Sequence, residues 1–152
     1  MSLKYKVLYA GARVYWFIFR PFSLGVNVMF IRDEQILLVK HTYRGGWHLP
    51  GGGVNRGEDL DVAAHREADE ELGATIHHMD LFGTYTHRAD YKNGYIVTML
   101  SEDFEIGQPK DGEIAEFGFF PFDELPPGTT EGVYNRIAEY RQLEKRPFIG
   151  KW

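Results

Sequence analysis

Apolar and polar positions along this chain follow two different periods. LGVNVMFI (24–31) and ILLVKH (36–41) are rich in β-branched residues and partly alternate, and the polar RDEQ between them reads as a turn. Together they predict a hairpin. TIHHMDLFGTYTHR (75–88), YIVTMLSEDFEI (95–106) and EFGFFPF (116–122) predict three more strands. His77 and His78 are neighbours on a strand and are expected on opposite faces of it. Two other segments repeat every three or four residues. Over 59–72, Ala64, Ala68 and Leu72 form an apolar row, and Gly73 follows where a left-handed glycine ends a helix. Over 129–145, Val133, Ile137 and Tyr140 line one side of a second helix, with Thr129 or Thr130 as its N-cap. TYRGGWHLPGGGVNRGE (42–58) is glycine-rich and expected to be irregular over most of its length, and DELPPG (123–128) reads as a turn. LKYKVLYAGARVYWFIFR (3–20) fits either a basic amphipathic helix or a strand at VYWFIF, and Pro21 ends either.

Neither repeats nor an interdomain linker interrupt this order, so it reads as one α/β domain. Its 152 residues, 43% hydrophobic and 26% charged, suit a domain with an ordinary core. The chain has no Cys, which excludes disulfides and thiolate metal sites and fits a reducing, cytoplasmic location. Its net charge of −5 speaks against broad, sequence-specific or otherwise, binding of nucleic acid. That charge is uneven. Lys4, Lys6, Arg13 and Arg20 give residues 1–22 a net +4, which leaves −9 for the rest. The six-residue apolar run VYWFIF is too short for a membrane span and makes a poor signal peptide. For residues 3–20 a core-packing or homodimer-forming element is favoured over docking on a membrane surface.

The chemistry concentrates in EDLDVAAHREADEE (58–71), where seven of fourteen residues are Asp or Glu and Arg66 is the one firm cation. On a helix, Glu67, Glu70 and Glu71 fall at i, i+3 and i+4 and share a face beside the apolar row. Like charges at this spacing repel by roughly 0.2–0.5 kcal/mol per pair. Solvated helix faces usually interleave Lys with Glu, and this helix has none. A hard divalent cation, Mg²⁺ or Mn²⁺, held by carboxylate oxygens answers that repulsion. Glu58, Asp59 and Asp61 suit the positive helix N-terminus, and Asp69 reads as a solvated bystander. None of the six His residues forms a HxxxH pair, and all are read as non-ligands.

GGVNRGEDLDVAAHREADEELGA (52–74) resembles the Nudix box: Gly52, Glu58, Arg66, Glu67, Glu70, Glu71 and Gly73 occupy its polar and glycine positions, and Ala68 and Ala74 its two aliphatic ones. WHLPGGGV (47–54) is similar to the usual approach to the box. The resemblance implies a Nudix-type α/β/α sandwich with a mixed central sheet over residues 24–152, residues 1–23 being a basic, aromatic N-terminal extension outside it. It also implies a metal-dependent pyrophosphohydrolase. The expected reaction is hydrolysis of the diphosphate linkage in a small nucleoside diphosphate derivative such as a nucleotide sugar, dinucleotide polyphosphate or nucleoside triphosphate. The alternative is a catalytically idle nucleotide-binding or regulatory module.

By position in the box, the resemblance assigns the metal to Glu67, Glu70, Glu71 and the Gly52 carbonyl. Glu67 is also a candidate to orient or deprotonate water, Arg66 would hold the carboxylates, and Glu58 takes a structural ion pair. Family members often add a later Glu, for which Glu113 is preferred over Glu116 because it follows an Asp-Gly turn. Lys40, Arg44 and His48 are candidates to meet phosphate. Tyr91 is placed as in dinucleotide polyphosphate hydrolases, whereas HRADY (87–91) lacks the Pro that ADP-ribose hydrolases of the family often carry. Tyr43, Trp47 and Tyr85 could stack on a base, with core packing the favoured reading.

Overall fold

The structure is a computed structural model, and it describes residues 22–87, 93–110, 112–142 and 147–152. Its elements, in chain order, are β1 (Phe22–Arg32), β2 (Gln35–His41), β3 (Gly51–Gly53), α1 (Leu60–Leu72), β4 (Thr75–His87), β5 (Asn93–Glu105), β6 (Ile114–Pro121), α2 (Glu131–Tyr140) and β7 (Phe148–Lys151). Among the described residues the strands form one mixed sheet ordered β6-β2-β1-β5-β4-β7, and β3 pairs with β1 off that path. β1 runs parallel to β5, and β4 parallel to β7; the other pairs are antiparallel. This is the α/β/α sandwich with a mixed sheet that the sequence implies.

Alternation along β1 and β2 builds the two layers. Val26, Val28 and Phe30 of β1 and Leu37 and Val39 of β2 pack with Ala63, Ala64, Ala68 and Leu72 of α1. Met29, Ile31, Ile36 and Leu38 face the other way, against Val133 and Ile137 of α2 and Phe82 and Tyr85 of β4. An Ala methyl contributes only about 0.8 kcal/mol on burial. The small side chains of α1 therefore matter less for energy than for letting the helix backbone, and its acidic face, lie close to the sheet.

The predicted hairpin turn is present, and both its central residues, Asp33 and Glu34, have positive φ (51° and 57°). The type I′ form of a two-residue hairpin requires this, and it strains residues other than Gly, Asn or Asp. α1 ends at Gly73 with φ 57°, and the N–H groups of Gly73 and Ala74 take up the last-turn carbonyls of Asp69 and Ala68. A Cβ at Gly73 would also lie 2.4 Å from the Gln108 carbonyl oxygen, so the C-cap and the packing of the later loop both require glycine.

Several expectations change. The glycine-rich segment contains the short strand β3, because Gly51–Gly53 pairs with Gly25–Asn27. β7 carried no sequence signal: it has four residues, and its pairing of Phe148–Lys151 with Gly83–Thr86 is a long-range event. α2 stops at Tyr140, short of residue 145, as its apolar row ends and Arg141 turns to Asp123 at 2.8 Å. Thr130 is the N-cap of α2, but its hydroxyl goes to the Trp47 carbonyl at 3.2 Å and not to its own helix. A register shift beside His78 breaks the alternation, so His77 and His78 are both exposed, meeting Glu105 and Asp80. β1 reaches back to Phe22, two residues before Leu24. Residues 1–21 lie outside the described residues.

Candidate functional site

The acidic face of α1 is organised by tertiary partners. Arg66 donates from Nε and Nη2 to Glu58 (2.7 and 2.9 Å), from Nη1 to Glu67 (2.7 Å) and Glu70 (3.1 Å), and from Nη2 to the Gly53 carbonyl (2.9 Å). Glu58 thus makes the ion pair expected of it, and that pairing holds its carboxyl down at about 2. Asp69 is not a bystander: Lys110, brought in from the β5–β6 loop, donates to it. Glu71 is only 3% exposed. It accepts the Gly51 N–H at 2.8 Å and lies 3.8 Å from His41 Nδ1.

Glu67 is disturbed by this crowding. Burial pushes its carboxyl up; Arg66 opposes that, and the charges of Glu70 and Glu113 reinforce it. Gly52 lies directly against it: a Cβ there would be 2.5 Å from Glu67 Oε2. The loop acid also arrives. Thr42 N–H donates to the Glu113 carbonyl at 2.8 Å, which brings the charge of Glu113 to bear on Tyr43. Burial first, then the charges of Glu113 and Glu71, push the Tyr43 phenol well up. Glu116 does not join them; it is exposed and pairs with Lys40 at 3.6 Å.

The sheet therefore gathers Gly52, Arg66, Glu67, Glu71 and Glu113 on one side, with Glu70 at the rim. Among the described residues, no three His, Asp or Glu side chains are drawn tightly enough together to cage an ion. Arg66 holds Glu67 and Glu70, and the Gly51 N–H holds Glu71. The donor set, hard carboxylate oxygens beside a glycine whose backbone can approach them, nevertheless fits a hard divalent cation.

The predicted phosphate-contacting residues divide. Lys40 is not brought to the carboxylates: it alternates away from His41, over the Trp47 ring at 5.7 Å. His48 is buried against the Gly45 carbonyl (2.8 Å), and burial, then the charge of Arg44, lowers its pKa. Arg44 is exposed at the surface beside Tyr43 and His48. Tyr91 lies outside the described residues. Trp47 and Tyr85 are core residues: Trp47 packs edge-on to Phe120, and Tyr85 sits under the Arg136 guanidinium at 3.5 Å while donating to Glu139. Sequence reasoning set aside His41 and gave no partner to Tyr43 or Asp69. No local signal could have found them, since their partners lie 30, 70 and 41 residues away.

A sequence profile of the NUDIX domain matches residues 21–140. The ADP-ribose pyrophosphatase of Methanocaldococcus jannaschii is 31% identical over 109 residues, 68% of this chain and 64% of that protein. The RNA pyrophosphohydrolase of Xanthomonas oryzae pv. oryzae is 37% identical over 65 residues, 43% of this chain and 31% of that protein. The chain thus spans less than two thirds of the length of either curated relative. Among solved structures, a MutT NUDIX hydrolase from Burkholderia pseudomallei is similar with a TM-score of 0.72 at 27% identity, covering 78% of this chain and 98% of that one. The box residues on α1, the mixed sheet that carries them and the profile match over most of the sequence agree: the chain belongs to the Nudix family.

Proposed function

We propose that this protein is a divalent-metal-dependent pyrophosphohydrolase that cleaves the diphosphate linkage of a small nucleoside diphosphate derivative. One observation carries the reading. Glu67 is half-buried against Gly52, and the charges of Glu70, on its own helix, and Glu113, from a loop 46 residues on, raise its carboxyl further. Converging acids of this kind are costly for folding alone and useful for holding positive charge.

Glu67, Glu70, Glu71 and the Gly52 carbonyl would hold Mg²⁺ or Mn²⁺, which when bound supplies charge neutralisation for the phosphate oxygens and an acidified water. The chain's own groups do the rest. Arg66 keeps the carboxylates of α1 from splaying into solvent. Glu67 and Glu113 are the candidates to orient the attacking water and accept its proton, and burial with the like charge of its neighbours makes Glu67 the better base. Arg44, exposed at the surface, is assigned to the substrate's phosphates, and His48 to the wall beside it.

The test is turnover by purified protein with Mg²⁺ on a panel of ADP-ribose, ATP, UDP-glucose, diadenosine tetraphosphate and 5′-triphosphorylated RNA. The named activities of the two curated relatives put ADP-ribose and the RNA on that panel. At least one member should be hydrolysed, and Glu71→Gln should abolish it. No turnover, with nucleotide bound equally well with and without metal, would favour an idle binding module instead.

A further inference from the structure

α1 covers only part of its side of the sheet. Val26 of β1 packs beneath it. Outward from Val26, the register runs through Val97 of β5, Thr84 of β4 and Ile149 of β7, and neighbours in register share a face. Alternation puts Phe22 of β1 and Tyr95 of β5 on that face too, and Leu81 of β4 lies opposite Met99, which packs against the α1 layer. These are large apolar side chains in water: Ile149 is 90% exposed, Phe22 70%, Leu81 46% and Tyr95 43%. The Phe22 and Tyr95 rings meet with centroids 5.8 Å apart. The reverse face of the same strands is closed, with Phe82 and Tyr85 fully buried on the α2 side. Among the described residues no element covers the open face, and folded monomers rarely leave an apolar cluster spread over four strands uncovered.

We infer that residues 3–20 of this same chain fold back over that face and close it. The chain enters β1 at Phe22, on the open face itself, and Pro21 alone separates that residue from Arg20. Six of the eighteen residues in 3–20 are aromatic, which gives the segment rings to match Phe22 and Tyr95. Its reach suffices. From β1 through β5 and β4 to β7 is roughly 14 Å at the usual strand spacing, and eighteen residues span about 27 Å even as a helix. Tethering at the edge of the face gives the segment an effective concentration there on the order of millimolar, so it outcompetes a second copy at micromolar concentration. Charge selects the same occupant: residues 1–22 carry +4 and the rest −9, so the domain attracts the segment and repels another domain. The docked segment also borders the candidate site, because the Leu24 carbonyl, between Phe22 and Val26, accepts the N–H of Val54 just beyond Gly53 (3.0 Å). The docking itself does not depend on the hydrolase reading.

Photo-cross-linking of the full chain tests this without any turnover. Ile149→p-benzoylphenylalanine places a reactive ketone on the open face, at a position exposed enough to accept it. Irradiation at micromolar protein should give a product of monomer mass in which residue 149 is joined to a peptide from 3–20, and Tyr95→p-benzoylphenylalanine should do the same. A product of dimer mass would assign the face to a second copy and overturn the inference. Products from both positions that lack residues 3–20, the result expected if the segment sits on a membrane surface, would overturn it as well. Limited trypsin digestion is the second measurement. Tyr95→Asp combined with Ile149→Asp should speed cleavage after Arg13 about tenfold, the scale of losing one buried apolar side chain. Cleavage after Arg136, which is buried in α2, should keep its wild-type rate. An unchanged rate after Arg13 would count against the docking as firmly as a missing cross-link. A rise at both sites marks loss of the fold, and the cross-link then decides alone.

Discussion

Gly52 and Glu67 are in backbone-to-carboxylate contact: a Cβ on Gly52 would sit 2.5 Å from Glu67 Oε2 and 2.6 Å from Oε1 and Cδ. No side chain fits there without displacing the carboxylate from its place beside Arg66. Gly52→Ala should therefore act on Glu67 more than on the fold. The expected result is a fall in kcat of about 10²-fold, the scale of a misplaced catalytic group, with a melting temperature within a few degrees of the wild type. Steady-state kinetics and a thermal melt check both halves. A near-normal kcat would show that Glu67 does not act from this position.

Divalent metal should stabilise the fold. Ligands that bind the native state raise its stability by mass action, and here the ion also relieves repulsion among acids on one helix face. Millimolar Mg²⁺ should raise the melting temperature, and Glu71→Gln, which leaves the buried contact with the Gly51 N–H largely in place, should reduce the shift. A melting temperature indifferent to Mg²⁺ and Mn²⁺ would put the ligand assignment in doubt.

Arg66 reaches three carboxylates and a carbonyl with one planar fork. Lysine keeps the charge but cannot make five directed hydrogen bonds. Arg66→Lys should cost about 1–3 kcal/mol in urea denaturation, from lost charged hydrogen bonds and carboxylates left close together. A change below about 0.5 kcal/mol, the ordinary surface level, would mean that the carboxylates find other partners.

Glu58 sets a pH window. Its carboxyl is held at about 2 in the folded protein against an ordinary 4.5, first by Arg66 and then by the Asn55 N–H. A folded-state pKa below the unfolded one adds stability that is fully present above about pH 4.5 and lost as pH falls toward 2. Glu58→Gln should therefore be less stable than the wild type at neutral pH, and the gap should close across that window. A gap independent of pH would sink this account.

The β1–β2 turn offers a gain far from the acidic face. Glu34 holds φ 57°, a left-handed conformation that glycine adopts freely. Glu34→Gly should stabilise the protein by roughly 0.5–1 kcal/mol, since the turn type prefers glycine at its second position. Unchanged or reduced stability in chemical denaturation would show that the Glu34 side chain has a compensating contact.

The two helices, five of the seven strands and the acidic face were legible in the sequence because each is written in residues a few positions apart. Ala64, Ala68 and Leu72 mark the buried row of α1, Glu67, Glu70 and Glu71 the charged one, and Gly73 its end, all by local spacing. β3 and β7 were not legible. Three glycines and the tetrapeptide FIGK have no period of their own, and they become strands only because β1 and β4 offer free edges. The same limit governed the charges. The sequence determined that too many acids crowd one helix; it could not show that Gly51 N–H would take Glu71, that Lys110 would take Asp69, or that Lys40 would turn to Glu116. It placed Glu113 at a loop mouth, but only the pairing of His41 with Ile114 brings that loop beside Tyr43 and Glu67. Ion pairs and hydrogen bonds act over a few ångströms in space, and strand order, set by burial of both sheet faces, decides which distant residues come within that reach.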